Sequence, residues 1–196
     1  MILNTSINVT RIFDADYIFF DFILFLAFFS ALIATKSWFP IAASAVCSSI
    51  ITFIDGVIWW TAGIREITSP VPLFWVFFMM DLSYGILAFS WMMIMLEKRE
   101  HRFAWTIFLF SGWFLVPIFS NLIPLYDAEV TTVRHMADIR WLEIIIAVAG
   151  YILLIALKYD YKTILYVFGV GCMQGFMMEF CLWVTGIRPS GLDLLI

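Results

Sequence analysis

The stretch Ser48–Arg65, SSIITFIDGVIWWTAGIR, decides how the chain is read. It is apolar enough for a membrane-spanning helix, yet it carries a carboxylate, Asp55, about two turns before its end. Trp59, Trp60 and then Gly63-Ile64-Arg65 close it. Glycine tolerates the left-handed conformation that ends helices, and arginine reaches the last carbonyls or a lipid headgroup. The same design returns at Gly171–Arg188, GCMQGFMMEFCLWVTGIR, offset by 123 residues. Phe53 matches Phe176, Trp60 matches Trp183, and Gly63-Ile64-Arg65 matches Gly186-Ile187-Arg188. The acids fall one position out of register, Asp55 against Glu179. An internal duplication and a chance likeness between two apolar helices account for this equally well. A charge in hydrocarbon is costly, so intramembrane acids are candidate functional residues by default.

The rest of the chain fits a membrane setting. Of its 196 residues 64% are hydrophobic, and the mean hydropathy is +1.00. Such a composition means transmembrane helices, here a single all-α polytopic bundle over residues 1–196. The net charge of −4 comes without a basic stripe, which excludes nucleic acid as a partner. Cys47, Cys172 and Cys181 lie in apolar segments without a Cys-x-x-Cys pair and read as small hydrophobes. Two histidines, His101 and His135, are too few for a histidine-rich metal site. The N-terminus lacks the pattern of a cleaved signal peptide. Asn4-Thr5-Ser6 and Asn8-Val9-Thr10 match the N-glycosylation acceptor pattern.

Hydropathy predicts six spans after a polar interfacial segment 1–16: residues 17–35, 41–63, 71–96, 103–125, 139–157 and 163–185. Pro40, Pro70 and Pro72 mark helix starts and turns, and Pro117 kinks the fourth span. The densest basic cluster, Glu97–Arg102, places that loop in the cytoplasm, both termini outside, and the 126–140 loop outside. The apolar ending Leu192–Ile196 reads as an interfacial tail or the approach to a further segment.

Each predicted helix then carries a polar group in its outer half: Asp21, Asp55, Asp81, Asn121, Glu143 and Glu179. Ser48, Thr52, Asp55 and Trp59 line one helical face, and Arg140, Glu143, Ala147 and Gly150 another. Gly171 and Gly175 form a Gly-x-x-x-Gly surface for close helix contact. This predicts a shared outer cavity with Asp55, Asp81 and Glu179 as its catalytic acids. Asn121 and Glu143 lie nearby, and Arg65, Arg140 and Arg188 form its rim. Asp21, near the membrane boundary, is expected to be solvated. Ion pairing of the acids with Arg65, Arg140 or Arg188 is the competing explanation.

Aromatics are abundant, with 21 Phe, 9 Trp and 7 Tyr. Trp59, Trp60, Tyr84, Trp91 and Trp183 fall near the acids, where aromatic faces stabilise a cation. Asp81-Leu82-Ser83-Tyr84-Gly85 resembles the Asp-x-Ser/Thr-Tyr-Gly run of the fungal-type membrane-integral terpene cyclases. The resemblance covers these five residues together with general size and topology. It implies protonation of an epoxide or alkene in a prenylated substrate and steering of the resulting cation. In that family the helix continues to a Trp-Glu pair whose Glu is an acid; here the continuation is Trp91-Met92.

The leading expectation is therefore a membrane enzyme performing acid–base chemistry on a lipid or isoprenoid. Asp81 or Glu179 would be the acid and Asp55 the partner base. A proton- or cation-coupled carrier and a non-catalytic membrane subunit or ligand-binding protein are the alternatives. The partners expected are membrane lipids and a hydrophobic small molecule. No cofactor is expected; an oxygen-ligated Mg²⁺ or Ca²⁺ is the lesser option.

Overall fold

Among the described residues the chain forms six helices and one small three-stranded β-sheet. The computed structural model describes residues 8–135 and 139–188, with only the backbone of residues 139 and 140. The helices are α1 Asp16–Ala34, α2 Trp38–Trp59, α3 Leu73–Leu96, α4 Arg102–Leu122, α5 Ile139–Ala156 and α6 Tyr161–Val184. The strands are β1 Asn8–Asp14, β2 Arg65–Thr68 and β3 Glu129–His135. Thus β1 leads into α1, β2 joins α2 to α3, and β3 joins α4 to α5.

By length and composition α1–α4 and α6 can each cross a membrane, which makes this a multi-pass membrane protein. The expected fifth span is α5, whose described side chains give an apolar run of Trp141–Ala156. Its 18 helical residues at 1.5 Å each cover roughly 27 Å, close to about 30 Å of hydrocarbon. All of α5 from 141 to 150 is exposed, and its contact with the bundle includes Tyr151 edge-on to Phe168.

The sheet is the feature that hydropathy did not anticipate. Its order is β1-β3-β2, both pairs antiparallel. In register Asp14 opposes Glu129, and Arg65 opposes Arg134. Segments read as a polar tail and two loops are strands because they are rich in β-branched residues: Val9, Thr10 and Ile12 in β1, and Val130, Thr131, Thr132 and Val133 in β3. The end of α6 joins the other edge, where Ile12 N–H donates to the Ile187 carbonyl at 2.9 Å.

α3 is the central helix, with 61% of its most apolar window buried against 17–33% for the other four long helices. It crosses α2 closely. A methyl at Gly85 would stand 2.6 Å from Ser48 Oγ, and Ser90 Oγ donates to Ser44 Oγ at 2.8 Å. At the end away from the sheet, α1, α3 and α5 stop in the same way. Lys36, Lys98 and Lys158 are left-handed, with φ of 54°, 52° and 61°. Each of their N–H groups, and the next residue's, donates back to the last turn. A lysine there meets the negative end of a helix dipole.

Candidate functional site: a buried charge cluster under the sheet

The acids that sequence patterning singles out on α2 and α3 both sit on widened turns. α2 is π-helical over Ile54–Trp59 and α3 over Phe78–Ser83, and these segments carry Asp55 and Asp81. Single π turns inside α-helices recur at functional sites. Gly56, within the first segment, packs on the residue just before the second: a methyl there would stand 3.2 Å from the Phe77 ring.

Gly63 then reverses the chain. Its φ is +70°, its N–H donates to the Trp60 carbonyl at 3.2 Å, and Ile64 N–H donates to that of Trp59 at 2.9 Å. The reversal folds Arg65 back along its own helix. Its Nε donates to Asp55 Oδ1 at 2.9 Å, and its Nη2 closes on Asp55 Oδ2. The grip is bidentate, the strong form of an arginine–carboxylate pair. Arg134, opposite Arg65 in the sheet, donates from Nη2 to Asp55 Oδ2 at 3.0 Å. Its guanidinium lies 5.0 Å above the Trp59 ring. Asp81 Oδ1 is 4.0 Å from Arg65 Nη2, while Asp81 Oδ2 is buried without a hydrogen-bond partner.

Asp55, Arg65 and Asp81 are only 2–3% exposed. Two arginines face two aspartates here, and their pairing offsets part of the cost of withdrawing these groups from water. Burial, helped by the charge of Arg134, lowers Arg65 to about 10, while Asp55 and Asp81 act in the opposite direction. Arg65 therefore stays cationic at neutral pH. It is the centre of the cluster and not its rim. Sequence patterning saw no cation on the acids' own helices because Arg65 lies beyond the helix end and arrives through the Gly63 turn.

Next to this cluster is a second set of buried polar groups. The Tyr17 and Tyr84 hydroxyls share a short hydrogen bond, and the Tyr84 ring stacks on Trp113 with centroids 5.6 Å apart. Asp21 is 1% exposed, and neither of its oxygens has a hydrogen-bond partner. The expectation that Asp21 is solvated is corrected: it lies on the face of α1 that packs into the bundle. Among the described residues no group of three His, Cys, Asp or Glu side chains is placed to hold a metal ion.

The C-terminal stretch forms its own contact. Gly186 has φ +77°, and its N–H donates to the Trp183 carbonyl at 3.1 Å. Arg188 Nε comes 2.9 Å from Glu179 Oε2, an ionic contact that lacks hydrogen-bond geometry. The ion pairs described join Asp55 and Asp81 through Arg65, and Glu179 to Arg188.

The other predicted residues disperse. Trp60 meets Phe77 edge-on at 5.8 Å. Trp91 is fully buried and donates to Thr106 Oγ1 at 3.0 Å, holding α3 to α4 well away from the sheet. Trp183 is exposed. Glu143 is exposed on α5, like every residue from 141 to 150. Asn121 lines a recess beside β1. The side chain of Arg140 and the 192–196 ending lie outside the described residues. Patterning missed Arg134; its signal was the run Val130–Arg134, whose strand alternation puts Val130, Thr132 and Arg134 on one face. No protein-family model, no curated protein and no solved structure matches the chain, so the site is read from its own geometry.

Proposed function

We propose that this membrane protein is an enzyme that uses its intramembrane carboxylates for acid–base chemistry on a lipid or isoprenoid substrate. The observation that carries the reading is Asp81 Oδ2, a buried carboxylate oxygen without a partner beside an aspartate gripped by two arginines. Asp81 is the proton donor. Asp55, fixed by Arg65 and Arg134, is the partner that keeps negative charge close to a developing cation. Trp59, Trp60 and Tyr84 supply aromatic faces. An apolar recess of about 410 Å³, lined among others by Phe19, Phe22, Trp75 and Leu125, gives a hydrocarbon chain a place beside α1 and α3. The terpene-cyclase-like run Asp81–Gly85 fits this chemistry. The paired Gly-Ile-Arg turns support the internal duplication, and the three lysine-capped turns support a cytoplasmic location for the end away from the sheet.

The test has two parts. Mass spectrometry of lipids that co-purify with the protein should identify a bound isoprenoid or lipid. Asp81→Asn should then retain that lipid and the wild-type unfolding midpoint while losing turnover. Turnover by Asp81→Asn at the wild-type rate would remove the enzyme reading. The unpartnered Asp21 beside the tyrosine pair favours a second reading, a proton- or cation-coupled carrier. Cation-driven uptake into proteoliposomes, lost in Asp21→Asn, would select it.

A further inference from the structure

A recess on the sheet side, apart from the charge cluster, is ringed by acids, and none of its described lining residues is basic. Its volume is about 320 Å³, and its walls include Phe13, Asp14, Tyr17, Ser120, Asp127 and Glu129. Asp14 and Glu129 face each other directly across β1 and β3. Like charges at opposed positions destabilise a sheet. Among the described residues none of the three carboxylates forms an ion pair. Deeper in, Ser120 is 4% exposed, and its hydroxyl has no hydrogen-bond partner.

These features ask for a cation, and its kind can be narrowed. The acids are not gathered closely enough to ligate a metal ion. A cation with its charge on N–H groups can reach carboxylates at the mouth and a hydroxyl at the floor together. The Phe13 and Tyr17 rings suit the methylenes beside an ammonium group. We propose that this recess binds a protonated primary amine, either on a small soluble amine or on the ethanolamine headgroup of a phospholipid. The ammonium group has three N–H donors: Asp14 and Glu129 accept two, Ser120 Oγ accepts the third, and Asp127 adds negative charge at the mouth. The bound charge also relieves the repulsion between Asp14 and Glu129.

The experiment uses the full chain in detergent and in nanodiscs. Titration calorimetry with 1,4-diaminobutane should give saturable binding, and 1,4-butanediol none. In nanodiscs, phosphatidylethanolamine should raise the unfolding midpoint over phosphatidylcholine. A response to the diamine identifies a soluble source, and a response to phosphatidylethanolamine alone identifies the headgroup. Asp127→Asn with Glu129→Gln should weaken whichever response is found by about tenfold or more, and Ser120→Ala by about threefold. The double variant should fold at least as stably as wild type, because it removes like charge. Absence of both responses, equal binding of the diol, or an undiminished response in the double variant would overturn the proposal.

Discussion

The two Gly-Ile-Arg turns are the same local device in two settings. In both, a helix stops at a left-handed glycine whose N–H returns to a tryptophan carbonyl. In both, the arginine two residues later meets an acid on the helix it has just left. In both, the isoleucine carbonyl accepts an N–H from the sheet: Ile64 from His135, and Ile187 from Ile12. What differs is the surroundings. Around Asp55 the helix widens into a π turn, a second arginine arrives from β3, and a second acid stands on α3. Around Glu179 the helix stays regular, and Glu179 keeps 23% of its side-chain surface exposed. The device alone is a helix stop whose arginine pairs with a partly exposed acid. Only where the central strand and the central helix meet it does it become a buried charge cluster.

Seven substitutions, compared in four steps, probe that difference, each read as an unfolding midpoint in detergent. Arg65→Met should be the most severe, at about 3–5 kcal/mol, because it strands two acids in the interior. Arg188→Met should cost less than Arg65→Met, since Glu179, 23% exposed, can turn to solvent. Equal losses would erase the contrast. Asp55→Asn comes next, at about 3 kcal/mol, because Arg65 and Arg134 would face each other without a full charge between them; Glu179→Gln should be much milder. Arg134→Ala should cost about 2 kcal/mol through a lost charge-assisted hydrogen bond, and Trp59 fluorescence should shift as the guanidinium leaves its ring. An unchanged spectrum would place Arg134 elsewhere. Smallest is Gly63→Ala against Gly186→Ala. Nothing lies within 4 Å of an added methyl at either site, so each should lose about 1 kcal/mol from backbone strain alone. A clear inequality would show that the two turns are not equivalent.

Much of this was legible in the sequence. Hydropathy located every helix, and the approach of Asp55 and Asp81 was foreshadowed by their depth in adjacent spans. The sheet was less visible because β1 and β3 are separated by more than a hundred residues, so no hairpin turn announces them. Arg65 was placed at the periphery because patterning treats a helix as ending where its apolar run ends. The glycine that stops the helix also aims the next side chain back at it, and that reversal is three-dimensional. Glu143 lies at a depth like that of the other acids, on a helix whose residues 141–150 are all exposed, and depth alone does not say which way it faces.

The position of β3 in the middle of the sheet fixes an order of events on the ribosome. β1 and β2 cannot pair with each other, and both emerge before the strand that joins them. Between β2 and β3 lie α3 and α4, so two further spans must enter the bilayer before the cap can close. Asp55 and Arg65 are made ten residues apart and can meet as soon as α2 is inserted. Arg134 reaches them only after four spans are in place. Until then the nascent chain holds one local ion pair and an open edge at each early strand.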